Sequence, residues 1–99
     1  MTQENAMLYM VIETFRDANA AAIYRRFHEK GRMQPEGLKY VDSWVQVDRR
    51  RCFQLMECDD RKLFEQWTAR WNDLIEFEII LVQSSREAAA AYKPERLDH

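Results

Sequence analysis

Tyr9, Glu13, Tyr40, Asp42, Trp44, Gln54 and Met56 are the side chains of this sequence whose types suit work on a small organic molecule. A carboxyl group set among aromatic rings and away from water loses solvation of its charged form. Its pKa then rises toward the range in which a general acid or base operates. Glu13 and Asp42 have that character. Tyr40 carries a hydroxyl that donates to a developing enolate, and Gln54 an amide that orients a carbonyl. Glu13, Asp42 and Tyr40 are therefore the catalytic candidates, and Tyr9, Glu13, Tyr40, Trp44, Gln54 and Met56 the candidate lining of a ligand site. The competing reading of the same set is a subunit interface, with Glu13 and Asp42 solvated or paired to arginine. Arg32, in the loop before the strand of Tyr40, either reaches the mouth of a cavity and holds an acidic ligand or stays in water.

Other chemistries find less to work with. The histidines are His28, on the outer side of an expected helix, and His99, near the end of the sequence; neither forms a ligand cluster with the cysteines, so no metal is expected. Gly31 and Gly37 do not make a phosphate-cradling loop, and no nucleotide cofactor is expected. Ser43, Ser84 and Ser85 lack a histidine partner for nucleophilic catalysis. Cys58 stands at a strand-to-helix junction where a thiol pKa can fall, but Asp59 and Asp60 oppose that. Trp67 and Trp71, at helical spacing, read as core. The Arg49–Arg51 run reads as a solvated hairpin tip whose charge discourages edge pairing.

The segments that place these residues have readable periods. Leu38 to Cys58 (LKYVDSWVQVDRRRCFQLMEC) predicts two strands joined by a tight turn. Successive side chains of a strand face opposite sides, so Tyr40, Asp42, Trp44 and Gln46 share one side and Val41, Ser43, Val45 and Val47 the other. A turn made of Arg49, Arg50 and Arg51 sets Asp48 opposite Cys52, Val47 opposite Phe53, Gln46 opposite Gln54, Val45 opposite Leu55 and Trp44 opposite Met56. Met7 to Phe15 (MLYMVIETF) predicts a central strand, with Leu8, Met10 and Ile12 toward helices and Tyr9, Val11 and Glu13 away from them. Ala20 to Lys30 predicts a helix capped by Asn19 or Asp17 and ended by Gly31. Asp59 or Asp60 opens a second helix with Leu63, Phe64, Trp67 and Trp71 on its inner stripe. Ile75 to Gln83 predicts a fourth strand, Phe77, Ile79 and Leu81 facing helices and Glu76, Glu78, Ile80 and Val82 facing away. Ser84 and Glu87 have capping-box spacing and open a short final helix through Tyr92.

The order is βαββαβ plus a short helix, an α+β ferredoxin-like arrangement. Right-handed crossovers place both main helices on one face of a four-stranded antiparallel sheet. The other face then carries Tyr9, Val11, Tyr40, Trp44, Met56, Ile80 and Val82, more apolar surface than a monomer comfortably exposes. Packing two such sheets face to face gives a homodimer.

The totals fit this picture. A chain of 99 residues with 46% hydrophobic and 12% aromatic residues is one globular domain, expected over residues 7–92 between polar tails at 1–6 and 93–99. A net charge of −2 argues against nucleic acid. Cys52 and Cys58 lie on one strand, roughly 20 Å apart, too far to bridge; free thiols, the polar opening segment and short apolar runs point to a cytoplasmic protein without a membrane span.

The segments MLYMVIETF, YRRFHEKGRMQPEGLKYVDSWV, CFQLMECDD and WTARWNDLIEFEIILV resemble the bacterial family filed as domain of unknown function 3303. The resemblance spans nearly all of residues 7–92. It implies similarity to dimeric α/β-barrel proteins, in which two ferredoxin-like sheets close around a shared interior, a superfamily that includes monooxygenases, cyclases, isomerases, haem-handling enzymes and non-catalytic members. Haem is not expected, because no strand here carries a histidine. The leading expectation is a homodimer that binds an aromatic or polyketide-like molecule, without metal or nucleotide, between sheet and partner. The alternative is a non-catalytic structural or stress-related dimer with a filled interior. An RNA-recognition domain shares the element order, but CFQLMEC lacks the basic and aromatic pattern that stacks bases.

Overall fold

β1 (Met7–Phe15) lies inside a four-stranded antiparallel sheet of order β2-β3-β1-β4, with β2 (Lys39–Val45), β3 (Arg51–Cys58) and β4 (Ile75–Val82). A computed structural model describes residues 6–92; the expected polar tails, Ala6 apart, and His99 lie outside the described residues. The helices are α1 (Ala20–Lys30), α2 (Lys62–Thr68) and α3 (Ser85–Ala91). The βαββαβ order and this strand order make a ferredoxin-like sheet with helices.

Local chemistry sets the ends of these elements. The Asn19 side chain accepts the Ala22 N–H at the start of α1, and Gly31, at φ 72°, ends it with its N–H on the Phe27 carbonyl. α2 starts later than the sequence predicts: Arg61 holds the cap position, and Asp60 Oδ1 accepts the Lys62 N–H at 3.0 Å. Ser84 and Glu87 form the reciprocal capping box of α3.

The sheet is open. β2 and β4 are its edges, each bonded to one neighbour, and among the described residues no strand joins them. The barrel expected from the resemblance is therefore overturned: four strands with a short, kinked edge do not curl far enough to close, whereas about eight strands make the smallest well-filled barrels.

The helix-covered face also differs from the expectation. Tyr9, Val11, Glu13 and Phe15 of β1 and Cys52, Gln54, Met56 and Cys58 of β3 are the buried sets, while Leu8, Met10, Ile12, Phe53 and Leu55 are half-buried on the other side. Tyr9 packs edge-on against Phe64 of α2, with ring centroids 5.0 Å apart. The hairpin register differs as well. Val45, not Asp48, faces Cys52, a shift of three residues, and an odd shift exchanges the faces of a strand. The Gln46 N–H bonds to the Arg51 carbonyl and the Arg49 N–H to the Gln46 carbonyl. Asp48 accepts from Gln46 Nε2 and the Arg50 N–H, and Arg49 takes φ 62°. The turn is thus Val47–Arg50, closed by polar side chains rather than by a run of arginines. Val41 is a further irregularity: two residues, Tyr40 to Asp42, span one step on β3, Met56 to Leu55. This bulge returns Tyr40 to the helix side and leaves Asp42 and Trp44 on the bare side. β4 follows the expected alternation, its Phe77 and Ile79 across from Glu13 and Val11.

Candidate functional site

Three residues from separate elements meet on the helix-covered face. Glu13 sits near the C-terminal end of β1 and Gln54 one step diagonally away on β3; they are 7% and 4% exposed. Gln54 Nε2 donates to Glu13 Oε2 at 2.8 Å, and Arg32 Nε donates to Gln54 Oε1 at 2.6 Å. A guanidinium only donates, so it fixes which end of the amide faces it and turns the NH₂ toward the carboxyl. Burial pushes the Glu13 pKa from 4.5 up to about 7; the Arg32 charge and the Gln54 hydrogen bond pull it part of the way back.

Arg32 is itself held from several sides. Its backbone carbonyl accepts both the Trp67 and Trp71 indole N–H groups, at 2.9 and 3.0 Å. Its guanidinium lies 3.8 Å from the Tyr40 ring centroid and 5.3 Å from that of Phe27. The next residue is fixed too, because Arg70 Nη1 donates to the Met33 carbonyl. Arg26 extends the clamp, bonding to the Arg70 carbonyl and, through both terminal nitrogens, to Asp73. A side chain positioned this way loses little freedom when it engages a further group.

Beside the network lies a cavity of about 140 Å³ between the sheet, α1 and the tryptophans that follow. Its polar wall is Glu13, Arg32, Ser43, Cys52 and Gln54; Ile23, Phe27, Trp67, Trp71 and Ile75 are among its apolar lining. Tyr24 and Val45, 36% and 40% exposed, stand at its rim. The Cys52 thiol, directly across from Glu13 in the strand pair, is pushed up to about 12, first by burial and then by the neighbouring carboxyl. It stays protonated. Burial also raises the Cys58 thiol, whose Sγ lies 3.5 Å from the Asp60 carbonyl, so this junction does not activate it.

The expected site residues separate into three groups. Glu13 and Gln54 line the cavity. Tyr40 stands next to it, stacked on Arg32, with its hydroxyl 2.8 Å from Ser43 Oγ. Tyr9 and Met56 lie farther along the same face in the core, at 6% and 0% exposure, outside the lining of this cavity. Asp42 and Trp44 are on the opposite face, across from Leu55 and Phe53. Asp42 spends an oxygen on the Ser43 N–H, and Trp44 is 51% exposed. Trp67 and Trp71 are core residues as expected, but the sequence reading gave them no part in the site. The available signal was that two buried indoles each need an acceptor.

A family model described as a domain of unknown function (DUF3303) matches residues 7–96, and the chain belongs to that family. No curated protein and no solved structure matches the chain. Among the described residues no helix is long and apolar enough to cross a membrane.

Proposed function

We infer that this member of the DUF3303 family binds a small organic molecule in the cleft between the sheet and its own helices, with Glu13 giving or taking a proton at the ligand. The observation that carries this reading is a carboxyl group, 7% exposed and with a pKa of about 7, in the wall of a 140 Å³ cavity. A cavity of about 150 Å³ admits a benzene-sized guest. The volume favours a single ring over a fused polyketide skeleton, and the surrounding aromatic side chains favour a flat one. Neutral Glu13 donates to a ligand carbonyl; ionised, it accepts from a ligand hydroxyl. Residues 7–92 act here as one binding domain, and buried free thiols suit a reducing compartment such as the cytoplasm.

Benzaldehyde is a suitable probe, followed through the indole N–H resonances of Trp67 and Trp71. If only the neutral carboxyl receives the carbonyl, affinity falls about tenfold from pH 6 to pH 8, in proportion to the competent fraction. Glu13→Gln removes that dependence. Absence of binding at both pH values would favour the alternative, a structural or stress-related module with a filled interior.

We also propose that two copies pair through the uncovered face. Trp44 and Ile80 are exposed there beside half-buried Met10, Ile12, Phe53 and Leu55. Charges of both signs, Lys39 and Arg51 with Asp42, Glu76 and Glu78, lie on the same face, which suits a second copy better than an anionic membrane. Light scattering is expected to give the mass of two chains, shifted toward one by Trp44→Glu. A mass of 12.0 kDa across the micromolar range would refute the pairing.

A further inference from the structure

The guanidinium of Arg32 is only partly used by the protein. Its Nε bonds to Gln54, but among the described residues neither terminal nitrogen has a hydrogen-bond or ion-pair partner. Both belong to a half-buried side chain that lines the cavity and is covered by the rings of Tyr40 and Phe27. Arg26, the comparable arginine on α1, spends its terminal nitrogens on the Asp73 carboxylate. Glu13, the carboxyl in the cavity wall, does not take that role; it accepts from the Gln54 amide, which stands between the two.

We propose that the ligand of this cleft is a single-ring monocarboxylate, its carboxylate received by the two terminal nitrogens of Arg32 and its ring laid against the apolar wall. This rests on the cleft being a ligand site and adds the class of ligand. A planar guanidinium with both terminal nitrogens free matches a carboxylate through paired, charge-assisted hydrogen bonds. Aromatic faces above the guanidinium and a low-dielectric wall strengthen that pairing relative to water. The position is prepared in advance, because two indoles hold the Arg32 backbone and Gln54 holds its Nε. Glu13, joined to the guanidinium only through the Gln54 amide, is left to act on a second polar group of the ligand, such as a ring hydroxyl or carbonyl.

The test compares benzoate with benzaldehyde by calorimetry at pH 6, on the wild-type chain and on Arg32→Lys. The wild type is expected to bind benzoate at least about tenfold more tightly than benzaldehyde, the advantage a paired charge contact gives over a neutral one. Arg32→Lys keeps the charge and the backbone carbonyl but loses the fork, and the advantage is expected to shrink to about threefold or less. The Trp67 and Trp71 indole resonances report whether the variant keeps its fold. Equal affinities in the wild type, or a benzoate advantage unchanged in a folded Arg32→Lys, would overturn the carboxylate assignment while leaving the cleft as a ligand site. Binding of neither probe would overturn both.

Discussion

Replacing Glu13 by glutamine removes an ionisable group from the cleft while keeping its shape and an oxygen for the Gln54 amide. In the native protein this carboxyl holds its proton up to about pH 7, whereas the unfolded chain releases it near 4.5. The native state therefore binds the proton more tightly. That contribution to stability is fully present below the unfolded value and is lost as pH rises through the native one. At 1.36 kcal/mol for each pH unit between the two values, it amounts to about 3 kcal/mol, most of which falls between pH 5 and pH 8. Urea unfolding followed by tryptophan fluorescence at these two pH values reads the effect. The wild-type midpoint is expected to drop by about 1–2 M, given the slope usual for a domain of this size. In Glu13→Gln this part of the pH dependence disappears. The other ionisable groups are common to both proteins, and the Cys52 thiol stays protonated over this range, so the difference between the two pH responses isolates Glu13. PH responses that agree to within about 0.5 kcal/mol would mean that the carboxyl ionises in the native state as it does in water, and the reasoning from burial would fail.

Trp67, 1% exposed, fills the core and donates to the Arg32 carbonyl, so Trp67→Ala is expected to cost about 3–5 kcal/mol in chemical unfolding and to loosen the loop that carries Arg32. The Asp73 carboxyl is held at about 2 by its paired bonds to Arg26. Its stabilising contribution is present above 3.8 and lost as pH falls toward 2, and an NMR titration of Arg26→Gln should show the Asp73 value returning toward 3.8. Cys52 and Cys58 are buried with raised pKa values, so Ellman's reagent is expected to label them at the rate of chain opening and not at that of an exposed thiol.

The parts of this fold that a linear reading reaches are those written in local chemistry. Asn19, Gly31, Ser84 and Glu87 mark helix ends by their own side chains or by the absence of one, and the fourth strand's contrast of Phe77 and Ile79 with Glu76 and Glu78 shows which side meets the helices. The first strand has no such contrast. Both of its sides are apolar, and Glu13 suggests solvent when read alone. Only its pairing with Gln54, from a distant strand, makes burial tolerable. The hairpin register departs from the expectation because three consecutive arginines resemble a turn, whereas Asp48, bonding to Gln46 and to the Arg50 N–H, closes a turn that starts two residues and ends one residue earlier than that run suggests. The resulting slip of three residues exchanges the faces of the second strand relative to the third. The Val41 bulge then separates Tyr40 from Asp42 and Trp44, which strict alternation had placed together. Glu13 and Gln54 were nevertheless found as candidates, because their polarity in apolar strands stands out whichever face they occupy. The part played by Arg32 depends on two indoles and two rings converging from four segments, and no spacing in the sequence encodes that.

A ¹³C titration of the Glu13 side-chain carboxyl tests the centre of this account most directly, since both the proton-exchanging cleft and the division of labour with Arg32 depend on it. The account predicts a midpoint near 7. A midpoint at the ordinary 4.5 would contradict it and leave Glu13 a solvated carboxylate with no chemical part in the cleft.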